Sequence, residues 1–187
     1  MKAASFKAYY TLGCCGIDCG LCPRYYTEGS SRCPGCDGPD FVTKHPSCSF
    51  ITCCVKKRKL DVCAQCGEFP CPKFEGWDAC DSFVTHLKSI SNLRSAREQG
   101  VKAFIAGQKK RMSLLDIMLK KFNDGKSKSF YCLAAALLPL KSLEKLLKKA
   151  EKETATSDIK TKADSLRGLL YELAHKEGIW LRLRKGT

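Results

Sequence analysis

Long hydrophobic runs are missing from this sequence. No stretch of about 18 apolar residues occurs, so no segment reads as a membrane-spanning helix. The densest run, Tyr131 to Leu140, is too short. The opening residues, MKAASFKAYYTLGCC, hold no apolar core of the kind a signal peptide needs, and the chain reads as cytoplasmic. Histidine is scarce: His45, His86 and His175 are scattered and form no motif. There is no glycine-rich phosphate loop and no G-x-S-x-G, so the commonest motif-level grounds for an enzyme are absent, and no small-molecule substrate is evident. Acidic residues are outnumbered, 19 against 33 Lys and Arg, for a net charge of +14.

What the sequence has in excess is cysteine. Of 14 cysteines, thirteen lie between Cys14 and Cys80, and only Cys132 lies outside. In a reducing compartment, clustered C-x2-C pairs point to metal rather than to disulfides. The thiols fall along the chain into two groups. The first is Cys15, Cys19, Cys22, Cys33 and Cys36; the second is Cys48, Cys53, Cys54, Cys63, Cys66 and Cys71. Tetrahedral zinc takes four ligands, and C-x2-C lets one tight turn supply two of them. CPGCDG and CAQCG are knuckle signals of this kind, with Asp37-Gly38 and Gly67 at the turns. Two groups imply about two zinc ions. Cys14, Cys80 and Cys132 read as buried free thiols.

The chain divides in two by character. Residues 1–78 hold six of the seven prolines and few periodic stretches, which predicts loops, knuckles and short helices stabilised by metal. Residues 79–187 predict a basic helical region, so the fold class is mostly α. Phe83, Leu87 and Ile90 have helical spacing, as do Phe104/Ile105, Met112, Leu115 and Met118/Leu119. Gly100 reads as a helix end and Asn123-Asp124-Gly125 as a turn. Leu140, Leu143, Leu146/Leu147 and Ala150 mark another helix. Ile159, Ala163, Leu166, Leu169/Leu170 and Leu173 mark the last, with Asp158 as its N-cap and a stop near Gly178. The tail IWLRLRK alternates and reads as a short strand.

Up to residue 80 there are 10 basic and 8 acidic residues, and after it 23 and 11. A zinc ion on four thiolates carries 2 − 4, roughly −2, so the cysteine half is not the basic half. The basic segments KKRK at 56–59, QKKR at 108–111 and the tail LRLRK raise RNA or DNA binding as an alternative function, with Tyr25, Tyr26 and Trp180 available to stack on bases. A third reading is a redox protein with an iron–sulfur cluster. Cys22-Pro23 and Cys71-Pro72 match the Cys-Pro that ends ferredoxin motifs, and Cys15, Cys19 and Cys22 have the C-x3-C-x2-C spacing of radical S-adenosylmethionine enzymes. Those enzymes need alternating strands and helices after the motif, and here more cysteines follow. His45 lies near Cys48 as a possible substitute ligand, and Asp18 reads as a loop-capping carboxylate.

The ordered motifs CGIDCGLCPRYY, CPGCDG, CSFITCCVKK and CAQCGEFPCPKF resemble a cysteine-rich family of bacteria and archaea, domain of unknown function 3795, over about residues 14–75. The resemblance implies a metal-binding module with no established activity. It implies ten ligand candidates: Cys15, Cys19, Cys22, Cys33, Cys36, Cys48, Cys54, Cys63, Cys66 and Cys71, with Cys53 and Cys54 competing for one place. The best functional reading is a structural-zinc protein acting as an interaction or adaptor module toward a protein partner or nucleic acid.

Overall fold

The computed structural model describes residues 7–186. The protein is mostly helical, and no strand occurs among the described residues. Its α-helices are α1 (Phe41–Lys44), α2 (Ser89–Gln99), α3 (Val101–Lys121), α4 (Lys128–Leu137), α5 (Leu140–Glu153) and α6 (Ile159–Lys176). Before α2 the chain is loops punctuated by 3-10 turns at Cys19–Leu21, Gly29–Ser31, Cys63–Gln65 and Pro72–Phe74, and by a π-helical stretch at Ile51–Lys57. No helix among the described residues is long and apolar enough to cross a membrane.

Two compact units are present. One comprises residues up to Gln108 together with the tail from Leu183; the other is Lys109–Arg182. The first therefore contains all of the paired cysteines, α2 and the start of α3. Its core mixes sulfur with hydrocarbon: Cys14, Cys15, Cys36 and Cys54 are buried among Leu12, Phe50, Val62, Phe69, Phe74 and Leu93. Phe74 packs on Phe50 and Phe69 with ring centroids 4.9 and 5.2 Å apart. Such edge-on and tilted pairs suit the aromatic quadrupole.

The second unit is built from amphipathic helices. On α5 the apolar side chains Leu143, Leu147 and Ala150 are buried while five lysines stand outside. α6 begins where Asp158 accepts the N–H groups of Lys160 and Thr161, which satisfies donors that a helix N-terminus leaves free. α4 is buried along nearly its whole length, Cys132 included. Its Tyr131 hydroxyl donates to the Phe122 carbonyl at 3.0 Å. The turn before it is fixed by Asp124, which accepts from Lys126 N, Ser127 N and the Ser127 hydroxyl and pairs with Arg167 at 3.0 Å.

Two sequence expectations fail, for one reason. The helix expected from Phe83 starts only at Ser89, and Phe83 and Leu87 are exposed. The tail forms no strand. Asp81 takes both segments. Its carboxylate accepts His86 N at 2.7 Å, Arg184 N at 2.8 Å and the Arg184 guanidinium at 2.9 Å, while Asp81 N donates to the Arg184 carbonyl at 2.9 Å. A carboxylate that satisfies nearby N–H groups offers the backbone an alternative to helix or ladder.

Burial of the Asp81 side chain raises its pKa, but the Arg184 and His86 donors outweigh this and hold it at about 2. A depressed carboxyl contributes stability that is complete above its unfolded pKa and lost as pH falls through the folded one. Between pH 4 and 2, native protein should lose about 2 kcal/mol that an Asp81→Asn variant does not lose. Unfolding curves of the two proteins across that range check it.

Candidate metal centre

The first cysteine loop is closed by its own backbone. Gly13 N donates to Ile17 O at 2.7 Å, Gly16 N to Gly13 O at 2.8 Å and Cys22 N to Cys19 O at 3.2 Å. Gly16 has a positive φ of 91°, and a Cβ there would sit 2.1 Å from the Ser89 carbonyl. Only glycine lets the N-terminus of α2 approach this loop so closely. The loop is then tied to the helices by side chains. Trp77 Nε1 donates to the Ser89 hydroxyl at 2.9 Å, and that hydroxyl donates to the Cys15 carbonyl. Asn92 donates to Gly16 O and to the Asp18 carboxylate, both at 2.9 Å, and Gln108 donates to the other Asp18 oxygen at 2.8 Å. The sequence reads Asp18 as a cap of this loop; its buried carboxylate instead accepts from Asn92 and Gln108 and makes no side-chain cap to the 3-10 turn that follows it.

The second knuckle is seated by Cys36 N donating to Tyr10 O at 2.7 Å and Cys33 N to Arg24 O at 2.9 Å. Gly35, φ 85°, passes so near Tyr10 that a Cβ would lie 2.3 Å from its carbonyl. The turn residue after Cys36 is Asp37, which itself adopts φ 58°. Gly67 needs no such freedom, because no positive φ occurs there.

The third loop is fixed by one arginine. Arg97 of α2 donates to Ala64 O at 2.8 Å, Cys66 O at 2.6 Å and Phe69 O at 3.1 Å, and its guanidinium lies 5.1 Å from the Phe69 ring centre. Beyond its single 3-10 turn at Cys63–Gln65, the CAQCGEF segment has these carbonyls taken up by Arg97. This loop borders a small cavity of about 30 Å³ lined in part by Cys53, Cys54, Cys63, Cys66 and Cys71.

All fourteen cysteines are free. Their spatial grouping differs from their order in the chain. Cys14 and Cys36 have sulfurs 3.9 Å apart, and Cys14 N donates to the Cys36 sulfur at 3.4 Å. The thiols of Cys48 and Cys54 also influence the ionisation of Cys14, and Cys63 that of Cys54. Cys19 lies among the fields of Cys36, Cys15, Cys22 and Cys33. Hydrogen bonding with these neighbouring thiols, together with burial, pushes the Cys14 pKa far up. Those neighbours move the other way: interaction with the Cys14 thiol lowers Cys48 to about 6 and Cys54 to about 4. Burial is the leading cause that raises Cys15, Cys19 and Cys22. Lys7, whose side chain is fully buried and bonds Asp61 at 3.2 Å, favours the thiolates of Cys36 and Cys54.

Among the described residues no three His, Cys, Asp or Glu side chains are already gathered as a metal-holding group. The donor set itself suits a soft or borderline ion: many thiols, buried or half-buried, with no disulfide and with oxygen ligands turned elsewhere. The histidines stand apart. His45 is exposed and stacks on Phe41, and its Nδ1 bonds the Pro46 carbonyl at 3.0 Å. His86 is buried against Trp77, with its two ring nitrogens bonded to Trp77 O and the Ser82 hydroxyl. His175 is exposed in the last turn of α6. Cys80 is exposed, and Cys132 is buried in α4.

Sequence reasoning set Cys14 aside because it belongs to no C-x2-C pair. Its adjacency to Cys15 was the only available signal. Among the basic segments, Arg58 pairs with Glu68 at 2.7 Å, Arg111 donates to Ala135 O and Leu138 O at 2.7 Å, and Arg184 is held by Asp81. Tyr26 donates its hydroxyl to Gly20 O, Arg32 covers the Tyr25 ring, and Trp180 is exposed.

Loss of Arg97 leaves three carbonyls of the third loop without this partner, and bonds to a charged donor contribute about 1.5–3 kcal/mol each at most. Arg97→Ala should destabilise the first unit by about 2–4 kcal/mol, and Arg97→Lys should recover only part of it, because one ammonium cannot span three carbonyls. Denaturant unfolding followed by Trp77 fluorescence measures both.

No curated protein and no solved structure matches the chain. Residues 11–76, which hold every paired cysteine, match the model of a family described as protein of unknown function (DUF3795).

Proposed function

We propose that residues 11–76 are a metal-binding module whose metal is structural zinc, about two ions per chain, and that the protein works as an interaction or adaptor module. The observation that carries this is the packing of a dozen free thiols, Cys14 to Cys71, in a unit whose apolar core is small and whose loops lack regular secondary structure. A segment of this size gains from metal the stability that its core does not supply. Zinc fits the donor set because four thiolates complete its tetrahedral shell and leave no open position for chemistry. Cys15, Cys19, Cys22, Cys33, Cys36, Cys48, Cys53, Cys54, Cys63, Cys66 and Cys71 are the residues available to hold it. The nucleic-acid reading ranks lower, because Arg58, Arg111 and Arg184 are each engaged within the protein. The iron–sulfur reading rests on the same thiols and is separated by elemental analysis.

Protein purified without oxygen should be colourless and contain zinc; iron with visible absorbance, or no metal, would contradict the reading. Apparent zinc-site free energies of about 10–16 kcal/mol in small fingers exceed or match the whole stability of about 5–15 kcal/mol typical of a domain. Cys22→Ser should therefore lose zinc and become protease-sensitive before residue 78, while Lys109–Arg182 stays resistant. Cys132→Ala, a truncation in an apolar helix, should keep all its metal and lose about 1 kcal/mol. Metal analysis and limited proteolysis of the two variants test this directly.

A further inference from the structure

The basic segments legible in the sequence each give an arginine to internal bonds: Arg58 to Glu68, Arg111 to the Ala135 and Leu138 carbonyls, and Arg184 to Asp81. A denser basic face lies on α5, outside all of them. Its sequence, LKSLEKLLKKAEKE, carries Lys141, Lys145, Lys148, Lys149 and Lys152, and all five are exposed. We propose that this lysine ridge docks on the phosphate backbone of double-stranded DNA without reading its sequence. The proposal rests on the adaptor reading above and deepens it by naming the partner.

At about 100° per residue, the five lysines fall within an arc of roughly 100°, and every residue in that arc is a lysine. The buried stripe of Leu143, Leu147 and Ala150 lies on the opposite side, and Glu144, Glu151 and Glu153 stand outside the arc on its flanks. Neighbours in the same unit hold the ridge in that orientation. α5 packs against α6. Arg111 of α3 donates to Leu138 O, just before α5, at 2.7 Å, and Lys121 pairs with Glu151 at 2.6 Å, so α3 flanks α5 from near its start to near its end. Lys141, Lys145 and Lys152 have no ion pair among the described residues. Lys148 and Lys149 pair with Glu144 and Glu153 at 3.0 and 3.8 Å, but exposed pairs of this spacing are weak and yield to a phosphate.

The chemistry of the ridge selects its partner. Lys141 to Lys152 span about 16 Å, and along that length a DNA duplex carries about ten negative charges. Protein interfaces are built on aromatic and Arg anchors and are depleted in lysine, and the arc holds no such anchor. A membrane-surface helix needs a free apolar face, and that of α5 is buried in the core. Single strands are held by stacking on aromatic rings, and none lies on the ridge. Lysines fanned over an arc reach phosphates on both sides of the wide major groove of B-form DNA, whereas that of duplex RNA is deep and narrow. No Arg, Asn or Gln stands on the ridge, and lysine ammoniums act on phosphates as point charges, so the contact carries no sequence information.

The test uses full-length protein purified without oxygen and a short labelled DNA duplex of arbitrary sequence, with binding followed by anisotropy as salt is raised. The first variant is Lys141→Gln/Lys145→Gln/Lys152→Gln. The second, Lys126→Gln/Lys160→Gln/Lys176→Gln, removes exposed lysines off the ridge and changes the net charge equally. Glutamine is as good a helix former as lysine, so both variants keep the fold. Native protein should bind with a steep salt dependence. The first variant should lose about 2.7 from the slope of log K against log salt, about 0.9 for each lost phosphate contact, with affinity at low salt falling about tenfold or more. The second should bind like the native protein. Equal losses in both variants would reduce the effect to net charge and overturn the ridge. So would binding of poly-L-glutamate as tight as that of the duplex, tighter binding of an RNA duplex, or no binding at low salt. Zinc content of the same samples keeps the two readings apart. Zinc without DNA binding overturns the ridge and leaves the metal module standing; DNA binding without zinc does the reverse.

Discussion

Sulfur packed against sulfur in the interior of the first unit is the constraint on which the rest of that unit depends. Cys14 lies fully buried with its sulfur 3.9 Å from that of Cys36. A cluster of this kind cannot ionise freely: each thiolate raises the cost of the next, and burial adds to it. One shared proton on Cys14 relieves part of the conflict, which is why its neighbours Cys48 and Cys54 fall to about 6 and about 4 while Cys14 rises. A divalent ion bound by the thiolates would offset much of the remaining repulsion. The loops around the cluster are shaped to keep the thiols together, with positive-φ glycines where backbone meets backbone at Gly16 and Gly35.

Helices supply the rigidity that these loops lack. α2 contributes Ser89, Asn92 and Arg97, and α3 contributes Gln108, each placed to bond loop carbonyls or the Asp18 carboxylate. These side chains take up backbone groups that would otherwise need a sheet or a longer helix. The cysteine loops and the start of the helical region thus belong to one compact unit. The unit from Lys109 to Arg182 has its own core of Leu115, Met118, Phe122, Tyr131, Leu147, Leu166 and Leu170, with no metal-type residues in it apart from the buried Cys132.

Much of this was legible in the sequence. The period of apolar residues located α5 and α6, and Gly100, Gly125 and Asp158 marked real ends and turns. Composition located the cysteine-rich segment, and ordered motifs identified its family resemblance. What could not be read was any contact set by long-range packing. Phe83 and Leu87 have helical spacing, yet Asp81 spends their neighbourhood on His86 and Arg184, the latter 103 residues away. Cys14 has no partner at C-x2-C distance, and its contacts come from positions 22, 34 and 40 residues further on. Spacing arithmetic finds thiols that share a turn and misses neighbours that come from distant turns.

The central claim is that metal, held by the buried thiols, keeps the first unit folded. Amide hydrogen exchange of the full chain, with and without a strong zinc chelator, tests it most directly. The account predicts that chelation removes protection across Cys14–Cys71 and from α2, while α4, α5 and α6 exchange as slowly as before. Unchanged protection of the cysteine loops after the metal has been removed would contradict it.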